Sequence, residues 1–262
     1  MLDGRVLLTG ATGGIGQAIA RALSARGAHL ILSGRRVEVL GSLADELGGQ
    51  AIPCDLADRG EVERLIAQAG EVDVLVANAA LPGTGSLTDF TQEQIDRTLE
   101  VNLRAPIALA RAFMPQMIAR GAGHLAFISS LNGRVATPLT SVYAATKFGL
   151  RGFALSLRQD VRASGIGVSV VMPGFVSEAG LFADAGARLP PGVRTRSPTA
   201  VAEALIRAIE RNRGEVDVAP FMIRVGAYVA GAAPELAASV TRLAGGERIA
   251  SELAEGQRNK QP

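Results

Sequence analysis

Arg5-Val6-Leu7-Leu8-Thr9-Gly10-Ala11-Thr12-Gly13-Gly14-Ile15-Gly16-Gln17-Ala18-Ile19-Ala20-Arg21-Ala22-Leu23 carries a short apolar run straight into a glycine cluster and out into a segment of helical period. A strand buried on both faces reads as such a continuous apolar run. Glycines at the turn let the chain reverse tightly and let the next helix pack close to the strand. They also bring backbone N–H groups within reach of a pyrophosphate at the helix N-terminus. The spacing is G-x-x-x-G-x-G rather than the commoner G-x-G-x-x-G, and a purely structural turn can be equally rich in glycine. Its place between the first strand and the first helix makes Gly10, Thr12, Gly13, Gly14, Ile15 and Gly16 a candidate dinucleotide cradle.

Working outward, short apolar runs recur at 5–9, 28–33, 50–54, 73–77, 124–129, 166–172 and 215–219. Helical patterns fall between them at 14–26, 36–47, 58–69, 91–120, 141–164 and 198–212. Alternating strands and helices predict a parallel sheet with helices on both faces. A closed eight-stranded barrel also alternates, but it needs eight repeats and has no use for a glycine cluster after its first strand. The reading is therefore an open, doubly wound α/β sheet of about seven strands in a single domain. It spans 1–220 and is followed by a tail, 221–262, that is helical by composition. The segment 175–197 is rich in Gly and Pro and reads as a long functional loop.

Composition narrows the chemistry. With one cysteine (Cys54) and two histidines (His29, His124), an internal disulfide is impossible and a zinc site is not expected. The net charge of +2 and scattered arginines give no nucleic-acid footprint. The N-terminus lacks the pattern of a signal peptide. The most apolar stretch, Phe221 to Ala233, contains Arg224 and falls short of the ~20 residues that span a bilayer. Cytoplasmic location is expected, without membrane contact.

The end of the second strand bears on which dinucleotide is held. An acid ~20 residues after the glycines would bind the ribose of NAD. No Asp or Glu occurs between Gly10 and Val37, and the strand ends in Ser33-Gly34-Arg35-Arg36. Arginine can clamp a 2′-phosphate with paired donors, so NADP is the preferred cofactor, with NAD as the alternative and Arg35 as the favoured contact. The competing reading is that these arginines only open a solvated helix.

Further along stand Asp55-Leu56 after the third strand, Asn78-Ala79-Ala80 after the fourth, Asn102 within a helix, Ser130 at a strand end, Tyr143-Ala144-Ala145-Thr146-Lys147, and Pro173-Gly174. With two tyrosines and two lysines in the chain, a Tyr-x-x-x-Lys thirteen residues after a serine is a poor candidate for coincidence. In this order the motifs resemble those of the short-chain dehydrogenase/reductase family, in its single-domain branch, from about residue 4 to 219.

The resemblance implies a Rossmann-like fold and a catalytic set of Asn102, Ser130, Tyr143 and Lys147. Tyrosine and lysine at i and i+4 share one helix face. A nearby ammonium favours the phenolate and is expected to draw the Tyr143 pKa down from its reference of ~10. Tyr143 would give a proton to a carbonyl oxygen or take one from an alcohol, and Ser130 would hydrogen-bond that oxygen. By resemblance Lys147 also binds the nicotinamide ribose, and Asn102 extends a proton relay through a water. Asp55 and Leu56 lie by the adenine, Asn78 and Ala79 beside the cofactor, and Pro173-Gly174 over the nicotinamide. Asn102, Asn78 and Asp55 also have structural readings, as bridge, sheet clamp and N-cap.

Three positions depart from the family pattern. Ala80 stands where a glycine is usual, Gly34 where NAD-preferring members carry an acid, and Glu178 where a threonine often holds the nicotinamide amide, with Ser177 as its substitute. The expected activity is hydride exchange between a carbonyl and a secondary alcohol. A non-catalytic dinucleotide sensor is the alternative, and a lyase-like use of the scaffold is a further one. Specificity is assigned to 81–90, 131–142 and 175–197, where Phe175, Leu181, Phe182 and Leu189 hint at an apolar substrate. By resemblance the helices at 91–120 and 141–164 pair in a homodimer or homotetramer.

Overall fold

Seven strands form one sheet, all parallel, in the order β3-β2-β1-β4-β5-β6-β7. The computed structural model describes residues 2–178, 194–235, 251 and 254–256. The strands are β1 Arg5–Thr9, β2 His29–Gly34, β3 Gln50–Pro53, β4 Val74–Ala77, β5 Gly123–Ile128, β6 Ile166–Pro173 and β7 Glu215–Val218. The helices are α1 Gly14–Ser24, α2 Val37–Leu47, α3 Arg59–Ala69, α4 Gln92–Leu99, α5 Ala105–Arg120, α6 Ser141–Asp160, α7 Pro198–Glu210 and α8 Phe221–Ala232. This is the Rossmann-like doubly wound sheet that the alternating pattern predicts.

Strand periodicity sorts the apolar residues onto the two faces. In β1, Leu7 joins one core with Leu75, Phe127 and Val170, packed by α3, α5 and α6. Val6 and Leu8 join the other with Leu32, Val76 and Ala126, packed by α1, α2 and α7. Successive side chains point to opposite faces, so a strand covered on both sides is mostly apolar along its length. The chain reverses its direction of winding between β1 and β4, which places the glycine turn after β1 at the crevice between them.

Two helices differ from their sequence patterns. The segment 91–120 was expected to run unbroken, but it is divided by a wider π-type turn, Glu100–Arg104, between α4 and α5. Asn102 lies within that turn. The last helical pattern before β6 stops at Asp160, four residues short of the expected end. Of the tail, α8 is described and packs Ile223 and Ala227 into the core on the α6 face. Among the described residues no helix is long and apolar enough to cross a membrane, and no cluster of three acidic, His or Cys side chains could hold a metal ion.

Candidate active site

Gly10 adopts φ +65, and a Cβ there would lie 2.7 Å from Ala79 Cα. A Cβ on Gly16 would come 2.1 Å from Gly10 O, so α1 leaves the turn as closely as backbone allows. Gly13 is different: a Cβ there would touch only Gly10 O, at 3.5 Å, so space lies in front of it. Gly13 is the N-cap of α1, and no side chain caps this end. The first-turn N–H groups of Gly14, Ile15 and Gly16 thus face an open cradle at the positive end of the helix dipole, which suits a pyrophosphate. Thr12 is buried and its carbonyl accepts from Gln17 Nε2 at 3.1 Å and from the Arg36 guanidinium.

Asn78 closes the cradle from β4. Its Nδ2 donates to Thr9 O and Gly10 O, both at 3.1 Å, while the N–H groups of Asn78 and Ala79 donate to Thr9 Oγ1 at 3.2 and 3.3 Å. The sequence reading missed Thr9, although its place at the C-terminal end of β1 was legible.

At the adenine end expected for Asp55, the carboxylate accepts from Ala57 N at 3.1 Å and from Arg97 at 2.5 Å. Burial alone would raise its pKa. The Arg97 guanidinium and the Ala57 N–H outweigh that and hold it below the usual carboxylate range. Arg97 comes from α4, 42 residues away, and nothing local in the sequence signals that pairing. Leu56 beside it is buried in the core.

The four expected catalytic residues come from three places. Ser130 follows β5 and opens a short turn, Leu131–Gly133, in which its Oγ accepts from Asn132 N at 3.1 Å. Tyr143 and Lys147 lie on the first two turns of α6. The Ser130 side chain lies near enough to the Tyr143 phenol to favour its ionised form, and Lys147 Nζ stands 5.6 Å from the centre of the tyrosine ring. Lys147 is buried and donates to Ile128 O at 3.1 Å. Ser129, the neighbour of Ser130, points the other way and donates to Lys147 O at 3.1 Å, tying β5 to α6.

Asn102 is fully buried and committed to structure. Its Oδ1 accepts from Leu81 N at 2.7 Å, and its Nδ2 donates to Leu81 O at 2.9 Å and to Thr146 Oγ1 at 3.3 Å. The bridging role is therefore the one the side chain performs.

The expected lowering of the tyrosine pKa is corrected by this geometry. Burial pushes Tyr143 up to about 12, only partly offset by the Ser130 side chain. Burial likewise brings Lys147 down to about 8. Removal from water penalises each charged form, and it is the first cause of both shifts.

The rim is zipped from two of the three expected specificity loops: Tyr143 N donates to Gly83 O at 3.3 Å and Gly85 N to Leu139 O at 2.7 Å. Pro173 ends β6, and Gly174 N donates to Val218 O at 3.1 Å. Beyond it, Ser177 N donates to Arg196 O at 2.9 Å, and Glu178 has φ 66. Leu181, Phe182 and Leu189 lie outside the described residues. The two histidines stand apart from the site. His124 is buried against Ser169 at 2.8 Å, and burial holds it at about 4; His29 is exposed at the start of β2.

The family profile described as short chain dehydrogenase matches residues 5–188. Dehydrogenase/reductase SDR family member 7B of Bos taurus is 34% identical over 253 residues, covering 88% of this chain and 78% of that protein. Ketoacyl reductase HetN of Nostoc sp. is 34% identical over 222 residues, covering 81% and 77%. A solved short-chain dehydrogenase from Sphingobium yanoikuyae in complex with NADPH superposes with a TM-score of 0.78 at 25% identity, covering 89% of this chain and 94% of that one. On the family match and these relatives, the chain belongs to the short-chain dehydrogenase/reductase family of oxidoreductases.

Proposed function

We propose that this protein is an NADPH-linked reductase that interconverts a carbonyl and a secondary alcohol, with Tyr143 as the general acid in reduction and the base in the reverse direction. The observation that carries the reading is the grouping of Tyr143 beside Ser130 with Lys147 buried 5.6 Å from the tyrosine ring. A phenol at about 12 is protonated at neutral pH and ready to donate. The Ser130 hydroxyl steadies the oxygen on which negative charge develops. A charged Lys147 favours that same oxyanion and the phenolate left after donation. Bound NADPH supplies the hydride.

Gly10, Thr12, Gly13, Gly14, Ile15 and Gly16 hold the pyrophosphate, Asp55 and Leu56 the adenine, Asn78 and Ala79 the adjacent ribose side, and Pro173-Gly174 the nicotinamide side. NADP over NAD is supported at the end of β2. A Cβ at Gly34 would meet Thr12 Oγ1 at 3.0 Å and Thr12 Cγ2 at 3.1 Å, leaving little room for an acidic side chain. Arg36 is engaged with Thr12, whereas Arg35 is exposed and carries no hydrogen bond among the described residues. Ketoacyl reductase HetN and the NADPH complex are in keeping with this direction and cofactor.

Oxidation of NADPH, followed beside NADH over a panel of ketones, tests the reading. Tyr143→Phe is expected to lower turnover by about 10³-fold, within the usual range for a lost general acid, while NADPH binding stays. Arg35→Glu is expected to reverse the preference towards NADH. Full turnover by Tyr143→Phe would sink the mechanism, and NADPH binding without turnover of any ketone would favour a sensor.

A further inference from the structure

Arg134 closes the turn that Ser130 opens: Gly133 N donates to Ser130 O at 2.8 Å and Arg134 N to Leu131 O at 2.9 Å. Its side chain is 5% exposed and leaves the turn for β7. Nη1 donates to both carboxylate oxygens of Asp217, at 3.1 and 2.9 Å, and Nη2 to Glu215. Glu215 also receives Arg151 of α6, at 2.5 Å.

From the other side α8 closes on the same guanidinium. The guanidinium carbon stands 4.0 Å from the centre of the Tyr228 ring. A Cβ at Gly231 would lie 3.1 Å from Arg134 Cγ, so the arginine stem runs against that glycine. Arg224 is 3.9 Å from Asp217. Arg224, Tyr228 and Gly231 share one stripe of the helix. On the adjoining stripe, Ile223 and Ala227 pack into the core that contains Leu131, with Val135 against it.

As a source of stability the arrangement is poor. Desolvating a guanidinium and two carboxylates costs about what their pairing returns, and Arg134 Nε is buried without a partner among the described residues. What the arrangement does supply is direction. A planar fork on two carboxylates, backed by an aromatic ring, restricts where the backbone of the turn can sit. We propose that Arg134 is a positioning residue: held by Asp217, Glu215 and Tyr228, it fixes the Ser130 turn, so that the docking of α8 sets the substrate-side geometry of the active site. This inference rests on the proposed roles of Ser130 and Tyr143. It gives the start of the C-terminal tail a part in the reaction.

The test uses the full chain with Arg134→Lys, which keeps the charge but loses the fork, and Tyr228→Leu, which removes the ring from a half-exposed position. Three quantities are read: kinetics on a reduced ketone, NADPH binding by fluorescence, and amide exchange of the 130–135 peptide. NADPH binding is expected to stay within about twofold, since the glycine cradle belongs to β1 and α1, while exchange of the turn quickens. For the ketone, kcat/KM falls about tenfold in Arg134→Lys and about threefold in Tyr228→Leu, mainly through kcat. Unchanged exchange in both variants overturns the proposal. So does faster exchange with unaltered ketone kinetics, or a matching loss of NADPH binding that marks general loosening. A wild type inactive on every ketone refutes the reading of the site instead, and exchange alone then decides whether α8 holds the turn.

Discussion

Tyr143 and Lys147 show why the chemistry of this site cannot be read from spacing alone. Four residues apart on a helix they share a face, yet Nζ donates to Ile128 O and both groups are driven towards their neutral forms by burial. For Lys147 the fall from 10.5 to about 8 corresponds to about 3 kcal/mol against the charged form. On the proposed mechanism the acid is intact at any ordinary pH in the reductive direction, whereas the ammonium that would favour the oxyanion is lost above about 8. Reduction is therefore expected to fall as pH rises through about 8, read as kcat/KM for the ketone; a flat profile to about pH 10 would contradict it.

The folded protein binds fewer protons at Lys147 than the unfolded chain between about 8 and 10.5, so this group withholds stability below about 8 and restores it as pH rises. Lys147→Met accordingly is expected to melt no lower than wild type at neutral pH while losing about 10²-fold in turnover. A large drop in melting temperature would mean that the bond to Ile128 O outweighs the burial penalty.

At the scale of elements, the π-type turn between α4 and α5 is the feature the periodicity did not reveal. Apolar spacing through 91–120 reports one buried face, and it cannot register a single widened turn that re-aims one side chain. In that turn Asn102 answers both backbone groups of Leu81 and also reaches Thr146 on α6, so the exit of β4, the α4–α5 joint and the Tyr143 helix meet on one amide. Removing it leaves a buried N–H and C=O unpaired, each costing about 1–3 kcal/mol. Asn102→Ala is expected to lower the urea midpoint by about 2–4 kcal/mol of stability and to slow turnover with it. An unchanged midpoint would show that Leu81 finds other partners.

At the scale of the whole molecule, the sheet presents its glycine turn, the Ser130 turn and the start of α6 at the C-terminal ends of the strands, and α8 leans on the second of these. Exposed apolar side chains lie elsewhere too: Phe148 on α6 is 41% exposed and Leu99 on α4 is 37% exposed. These belong to the helices assigned by resemblance to a contact between copies. Sedimentation is expected to give a dimer or tetramer for the wild type and a lighter species for Phe148→Glu, with helical content retained. A wild type that sediments as a monomer would remove that contact from the picture.

Much of the architecture was written locally. A strand buried on both faces is mostly apolar, a tight turn under a helix N-terminus favours glycine, and residues three or four apart share a helix face. Those constraints act over a few residues, so the sheet class and the glycine turn at Gly10 to Gly16 were legible without coordinates, while Ser130, Tyr143 and Lys147 were singled out through the family resemblance. Tertiary structure decided what depends on distance in space and on exclusion of water. It set the pairing of Asp55 with Arg97 across 42 residues, the commitment of Asn102 to Leu81, the pKa values of the tyrosine and lysine, and the gathering of Arg134, Asp217, Glu215 and Tyr228 behind the Ser130 turn. No local pattern encodes these, because each arises only when elements remote in the chain bury one another's polar groups.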